Sequence, residues 1–136
     1  MTTVLAAGVF DFLHPGHKFY LQSAHKLADR LVVIVARDEN VQRIKGFLPV
    51  HSENERVQMV ESMGIAEQVV LGRPGGDLLA IVAELKPDVI AVGYDQKLPS
   101  GFAEKFPHVQ VVQMEAKNPE EWKSSKYRMK AGRSKS

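Results

Sequence analysis

The most constraining feature of this 136-residue chain is an unbroken run of apolar residues at positions 31–36, most of them β-branched. The run reads Leu-Val-Val-Ile-Val-Ala and offers no polar side chain to face solvent. Such a run is typical of a central strand of a parallel sheet, because helices cover both faces of such a sheet. It therefore predicts an α/β protein.

The rest of the chain alternates strand-like and helix-like segments. Strands are predicted over residues 2–7, 31–36, 67–71, 88–92 and 109–114, with helices over 15–28, 39–44, 53–63 and 78–86. Ser52 and Glu55 form a capping box, and Asp38 and Asp77 are expected to cap the helices that follow them. In the second helix, Val41 and Ile44 are expected to face inward. This order predicts a Rossmann-like, doubly wound, parallel five-stranded sheet with right-handed crossovers, in a single domain spanning residues 1–136.

The turn between the first strand and the first helix reads Gly-Val-Phe-Asp-Phe-Leu-His-Pro-Gly-His over residues 8–17. Ligands of open α/β sheets bind at such turns, where backbone N–H groups and the positive end of the helix dipole point outward. Gly8 has no Cβ, which lets a phosphate or ribose approach the backbone. His14 and His17 are three residues apart, so that both imidazoles project from one helix face. We expect them to donate to the same anion.

The string Gly-x-Phe-Asp-x-Leu-His-x-Gly-His resembles the signature of the nucleotidyltransferase superfamily of cytidylyltransferases and small adenylyltransferases. In that superfamily the HxGH motif binds the triphosphate of a nucleotide. The resemblance implies nucleotide contacts from the motif residues Gly8, Val9, Phe10, Asp11, His14 and His17. The residues by themselves leave open two helix-capping or metal-binding histidines, although the chain has no cysteine to complete a zinc site.

The same resemblance extends to two basic residues nearer the middle of the chain. A lysine in the region of Lys45 often meets substrate phosphates in the family, and Arg56 stands where the family often places an arginine beside the active site. A flexible ammonium and a bidentate guanidinium both suit phosphate. A solvated lysine and an exposed helical arginine are the simpler interpretations of the same residues.

The segment after the fourth predicted strand reads Gly93-Tyr94-Asp95-Gln96. It resembles the archaeal-type FAD synthases, which transfer AMP to FMN, more than the glycerol-3-phosphate cytidylyltransferases. Gly93 would let a base or ribose lie against the backbone, and Asp95 could accept a hydrogen bond from a ribose hydroxyl. An ordinary strand-to-loop turn would also use glycine and aspartate.

Ser124, Ser125 and Lys126 match a Ser-Thr-Thr-Lys-like motif that opens the last helix of relatives. There the hydroxyls and the helix N-terminus hold the phosphates from the side opposite HxGH. Lys123 departs from this motif, since it stands where serine is usual. Serines ahead of a helix would also act as N-caps in any protein.

Charge is distributed unevenly along the chain. The net charge is +2, yet all acidic residues lie at or before Glu121, and a basic tail follows. The tail lacks the interleaved aromatic residues of nucleic-acid-binding segments, and beyond about residue 129 it is expected to be disordered until ligand arrives. The chain opens without a charged signal-like segment and has no apolar run near the roughly 20 residues of a membrane span. We expect a cytoplasmic protein with neither nucleic-acid nor membrane partners.

Three functions follow from these patterns. The resemblance implies a homodimeric enzyme that transfers AMP from ATP to FMN with release of pyrophosphate. Mg²⁺ would bridge the triphosphate oxygens, keeping most of its waters and taking few protein ligands, and Asp11 would orient the metal's waters or the turn itself. The alternative is a cytidylyltransferase that uses CTP and glycerol 3-phosphate or another phosphorylated alcohol or sugar. A catalytically silent nucleotide-binding module is the third interpretation.

Overall fold

Five parallel strands form one sheet in the computed structural model, which describes residues 1–11, 15–93 and 98–114. The strands are β1 (Thr3–Gly8), β2 (Arg30–Val35), β3 (Gln68–Leu71), β4 (Val89–Val92) and β5 (Gln110–Gln113). Their order across the sheet is β3-β2-β1-β4-β5. The predicted Rossmann-like α/β fold is confirmed.

Helices cover both faces of this sheet. They are α1 (Pro15–His25), α2 (Asp38–Lys45), α3 (Glu53–Ser62), α4 (Leu78–Leu85) and α5 (Phe102–Lys105), with a short 3-10 turn at Pro74–Gly76. Leu21 and Ala24 of α1 pack with Val60 of α3 against one face. Ile81 and Val82 of α4 pack with Phe102 of α5 against the other.

The apolar run at residues 31–36 forms most of β2. Its side chains from Leu31 to Val35 are at most 5% exposed. Leu31, Val33 and Val35 point into the core under α1 and α3, whereas Val32 and Ile34 point into the core under α4 and α5. Because both faces are covered, a strand with no polar side chain is stable here.

The strand order places a switch point beside β1. β1 pairs with β2 on one side, from Thr3↔Arg30 to Gly8↔Val35, and with β4 on the other, from Val4↔Val89 to Ala6↔Ala91. The chain leaves β1 in one direction to build β2 and β3, and later returns to the other side to build β4 and β5. Open α/β sheets bind ligands in the crevice beside such a point, outside the carboxyl ends of the strands, here those of β1 and β4.

Local capping signals were predicted correctly in two of three places. Ser52 Oγ accepts from the Glu55 backbone N–H, and the Glu55 carboxylate accepts from the Ser52 N–H, which completes the capping box of α3. Asp77 caps α4 through the N–H of Ala80. Asp38, however, is the first residue of α2 and not its cap, which is Arg37.

The prediction that Ile44 faces inward is wrong, since its side chain is 74% exposed. α2 buries Val41, as predicted, together with Asn40, whose side chain donates to the carbonyl of Arg73. Ile44 lies in the last turn of this eight-residue helix, beyond the part that packs.

Several boundaries also differ from the prediction. α1 ends at His25 and not at residue 28, and α5 was not predicted. The helix expected after Lys123 lies outside the described residues. Within the parts of the chain that the structure describes, no helix is long and apolar enough to cross a membrane.

Candidate active site

The crevice between β1 and β4 brings together three parts of the chain that the sequence singled out. Gly8 ends β1, Gly93 directly follows β4, and His17 lies in the first turn of α1. The hydroxyl of Tyr20 on α1 donates to the carbonyl of Ala91 on β4 at 2.9 Å, which ties the helix to the strand across the crevice. The N-terminus of α1 is therefore held at the carboxyl edge of the sheet, as anion binding requires.

Phe10 adopts a backbone conformation that is unusual for a bulky residue. Its φ is 57°, in the left-handed region, and its ring is only 2% exposed. The ring packs edge-on against the imidazole of His17, with 5.4 Å between centroids. Phe10 thus supports His17 from within the protein.

Gly8 serves a different purpose from the one expected. A Cβ at this position would lie 2.8 Å from Cε2 and Cζ of Phe10. The space beside the glycine is therefore filled by the Phe10 ring, whereas the sequence suggested an opening for a phosphate or ribose. Gly8 acts on the site through Phe10 and His17.

Asp11 binds the loop that leads into α3. Its carboxylate accepts from the backbone N–H of Val50 at 2.8 Å and of His51 at 2.9 Å. The His51 Nδ1 also lies 3.1 Å from Asp11 Oδ1. Of the two roles expected for Asp11, the structure supports the orientation of the turn.

The pKa of Asp11 is set by opposing effects. Burial raises the pKa of this carboxyl, but the hydrogen bonds from His51 and Val50 lower it, and the result is a pKa below the ordinary 3.8. The carboxylate is therefore ionised at neutral pH and acts as an acceptor only.

The guanidinium of Arg56 is completely buried, and this is the clearest departure from the expected site. It donates to the carbonyls of Val9, Ala36 and His51 at 2.9, 2.7 and 3.0 Å. It also pairs with Asp38 at 2.6 Å. The buried guanidinium has no exposed surface in this structure for the contact with a substrate phosphate that the resemblance implies.

The remaining expected residues fall into two groups. Lys45 is the last residue of α2 and is exposed. The Val9 carbonyl accepts a hydrogen bond from Arg56. The others lie outside the described residues: His14, Tyr94, Asp95, Ser124, Ser125 and Lys126.

His51 was missed by sequence reasoning. It precedes the capping box, and only its neighbour Ser52 drew attention. Nothing in the sequence spacing connects residue 51 with residue 11, because their contact depends on the return of the chain to the carboxyl edge.

Metal-ligating side chains do not cluster in the part of the chain that the structure describes. Within residues 1–11, 15–93 and 98–114, no group of three or more histidine, aspartate or glutamate side chains could hold a metal ion. The Asp11 carboxylate is already occupied by donors from Val50 and His51.

The fold defines an α/β protein of the doubly wound, Rossmann-like class. A family model described as Cytidylyltransferase-like matches residues 5–130. The chain therefore belongs to the cytidylyltransferase-like family, and the resemblance inferred from the motif is confirmed.

Among known proteins, FAD synthases are similar in sequence to this chain. The chain is 45% identical over 97 residues to an FAD synthase of Thermoplasma volcanium, covering 71% of this chain and 67% of that protein. It is 48% identical over 97 residues to an FAD synthase of Aciduliprofundum boonei, covering 71% of this chain and 64% of that protein. The aligned part thus spans about two thirds of each relative.

A solved structure agrees with the fold. The crystal structure of a protein from Thermoplasma volcanium, described as a lipopolysaccharide core biosynthesis protein, superposes with a TM-score of 0.80. The two are 38% identical, and the match covers 87% of this chain and 99% of that chain.

We predict that Gly8→Ala destabilises the protein by about 1–3 kcal/mol, because the new Cβ overpacks against the Phe10 ring. Urea unfolding measures the change. Gly72→Ala is the matched control, since a Cβ there meets Ile34 and Val35 at ordinary distances of 3.6 and 3.7 Å. Equal effects of the two substitutions would contradict the proposed role of Gly8.

Arg56→Met is expected to lower the free energy of unfolding by about 2–4 kcal/mol, because the carbonyls of Val9, Ala36 and His51 lose their donor, whereas the one-third exposed Asp38 can still be solvated. The exposed pair of Arg73 with Glu84 provides the control. Arg73→Met should cost about 1 kcal/mol or less. A small effect of Arg56→Met in urea unfolding would argue against the hydrogen bonds of Arg56 with the three carbonyls.

The lowered pKa of Asp11 predicts a pH dependence of stability. Asp11→Asn should reduce the free energy of unfolding by a constant amount at pH above 3.8, and the difference from the wild type should shrink as pH falls through the lower pKa of the folded state. Unfolding is measured from pH 7 to pH 2, with the exposed Glu104→Gln as control. A difference that already shrinks well above pH 3.8 would contradict a lowered pKa.

Proposed function

We propose that the protein is an FMN adenylyltransferase, which forms FAD and pyrophosphate from ATP and FMN. The observation that supports the proposal is that His17 lies in the first turn of α1, in contact with Phe10, in a chain 45–48% identical to FAD synthases. An imidazole at a helix N-terminus provides a donor and a favourable dipole for a triphosphate.

The chemistry needs little from the protein beyond orientation and charge. An oxygen of the FMN phosphate attacks the α-phosphorus of ATP in line, a new P–O bond forms, and the bond to the β-phosphate oxygen breaks. Pyrophosphate leaves with the electron pair. The attacking phosphate is already ionised, so no general base is required. Catalysis then rests on alignment and on stabilising the charge that moves to pyrophosphate.

In this proposal His17 donates to the departing phosphates and Gly93 approaches the nucleoside. Lys45, exposed at the end of α2, is assigned to a substrate phosphate. Sequence resemblance adds the motif residue His14 and residues that follow β4 or lie near the C-terminus: Tyr94, Asp95, Ser124, Ser125 and Lys126. Val9, Phe10 and Asp11 shape the turn, and Gly8 makes room for it.

Mg²⁺ enters this scheme as part of the substrate MgATP. The cation screens the triphosphate and takes few protein ligands, which suits a site where Asp11 is occupied by the His51 loop. The family resemblance also implies a homodimer in the cytoplasm, and both belong to the proposal.

Pyrophosphate release tests the function directly. ATP and CTP are crossed with FMN and glycerol 3-phosphate in the presence of Mg²⁺. Release with ATP plus FMN, and not with the other pairs, is the expected result. Release only with CTP would favour a cytidylyltransferase, and binding without turnover in any pair would favour a nucleotide-binding module.

His17→Ala should lower kcat with ATP and FMN on the order of 10²-fold, by analogy with the loss of one oxyanion donor. The exposed His108→Ala is the control and should retain wild-type kcat. Thermal unfolding of both variants separates a catalytic loss from a folding defect. A near-normal kcat for His17→Ala would contradict the mechanism.

A further inference from the structure

The imidazole of His51 lies against the backbone of the turn that carries the motif. Its Nδ1 is 2.7 Å from the backbone oxygen of Asp11 and 3.1 Å from Asp11 Oδ1. The side chain is 34% exposed, and the His51 carbonyl accepts from the buried Arg56. The proposed adenylyl transfer assigns no role to His51.

The neighbours of His51 determine which nitrogen carries the proton. A backbone carbonyl accepts only, and the ionised Asp11 carboxylate also accepts only. The Nδ1 must therefore be the protonated nitrogen, and it donates to Asp11. The Nε2 is not needed for this contact.

The contacts of His51 hold the C-terminal side of Phe10, the residue with an unusual backbone conformation in this turn. Phe10 has a φ of 57°, a conformation that bulky residues rarely adopt and that persists only when neighbouring contacts hold it. On its N-terminal side, Arg56 donates to the Val9 carbonyl at 2.9 Å. On its C-terminal side, His51 binds Asp11 through both its backbone N–H and its ring.

The constraint on Phe10 reaches the candidate catalytic histidine. The Phe10 ring packs against the His17 imidazole, and Gly8 leaves room for that ring. A relaxed Phe10 backbone would move the ring and remove the surface on which His17 rests. Displacements of this kind, away from the reacting atoms, still reduce rates strongly.

We propose that His51 is a positioning residue: its Nδ1–H donates to Asp11, holds Phe10 in the left-handed conformation and so orients His17 toward the nucleotide. The proposal rests on the proposed function for its kinetic consequences. The competing role for His51 is a direct contact of Nε2 with a substrate phosphate.

Two substitutions separate these roles. The amide nitrogen of asparagine is attached at Cγ, as is Nδ1 of histidine, whereas the amide nitrogen of glutamine lies near the position of Nε2. His51→Asn keeps the donor to Asp11, and His51→Gln keeps only a group at the outer position. His51→Ala removes both.

We expect His51→Asn to retain kcat within about threefold of the wild type. His51→Ala and His51→Gln should lower kcat on the order of 10- to 100-fold at saturating MgATP and FMN, with a smaller change in KM, because the orientation of His17 matters most in the transition state. Thermal unfolding confirms that each variant is folded under the assay conditions. A role in stability alone would lower the melting temperature and leave kcat of the folded enzyme unchanged.

His25→Ala provides a matched control. His25 also pairs with a carboxylate, that of Glu67 at 3.0 Å, and is also 34% exposed, but it lies at the other end of α1 from His17. Its loss should leave kcat unchanged. A comparable fall in kcat for His25→Ala would mean that the effect is not specific to the contact of His51 with Asp11.

Amide hydrogen exchange of the peptide covering residues 8–17 gives a measurement that does not depend on activity. His51→Ala and His51→Gln should speed exchange there, and His51→Asn should not. If the wild type makes no FAD, the proposed function fails while this measurement still decides the role of His51. The positioning role is overturned if His51→Gln retains wild-type kcat and His51→Asn does not, or if all three variants have the same kcat. It is also overturned if amide exchange of residues 8–17 is unchanged in every variant.

Discussion

The buried guanidinium of Arg56 is the interaction on which the carboxyl edge of the sheet depends. It joins the carbonyls that follow β1 and β2, at Val9 and Ala36, to the residue that precedes α3 and to Asp38 at the start of α2. Carbonyl oxygens at this edge would otherwise repel an approaching polyanion. A fixed cation that satisfies them would favour the proposed binding of a triphosphate at this edge, while the guanidinium itself stays buried.

The architecture could be predicted because its signals are local. The apolar run in β2 indicates burial on two faces wherever it lies, and the capping box of Ser52 and Glu55 is complete within four consecutive residues. Alternating periods of hydrophobicity then predict a parallel sheet. The order of the strands is not local, and neither is the inward face of a short helix, as exposed Ile44 and buried Asn40 show.

The site was harder to predict for the same reason. The motif predicts where the site lies, but the contacts of its residues depend on directions in space. Arg56 has the sequence context of an exposed helical arginine, yet it points beneath the turn, and Gly8 makes room for an aromatic ring of its own chain. His51 had no recognisable pattern, because its partner Asp11 lies forty residues earlier in the chain.

The hydrogen bond from Tyr20 to Ala91 has a thermodynamic consequence. It fastens the helix that carries His17 to the strand that ends beside Gly93, so these two walls of the crevice keep their spacing in the free protein. Under the proposed function, a nucleotide that binds between them need not draw them together. The entropy lost on binding is then that of the ligand and of the side chains that it contacts. The heat-capacity change should accordingly reflect the apolar area of the ligand and not the burial of protein surface through closure.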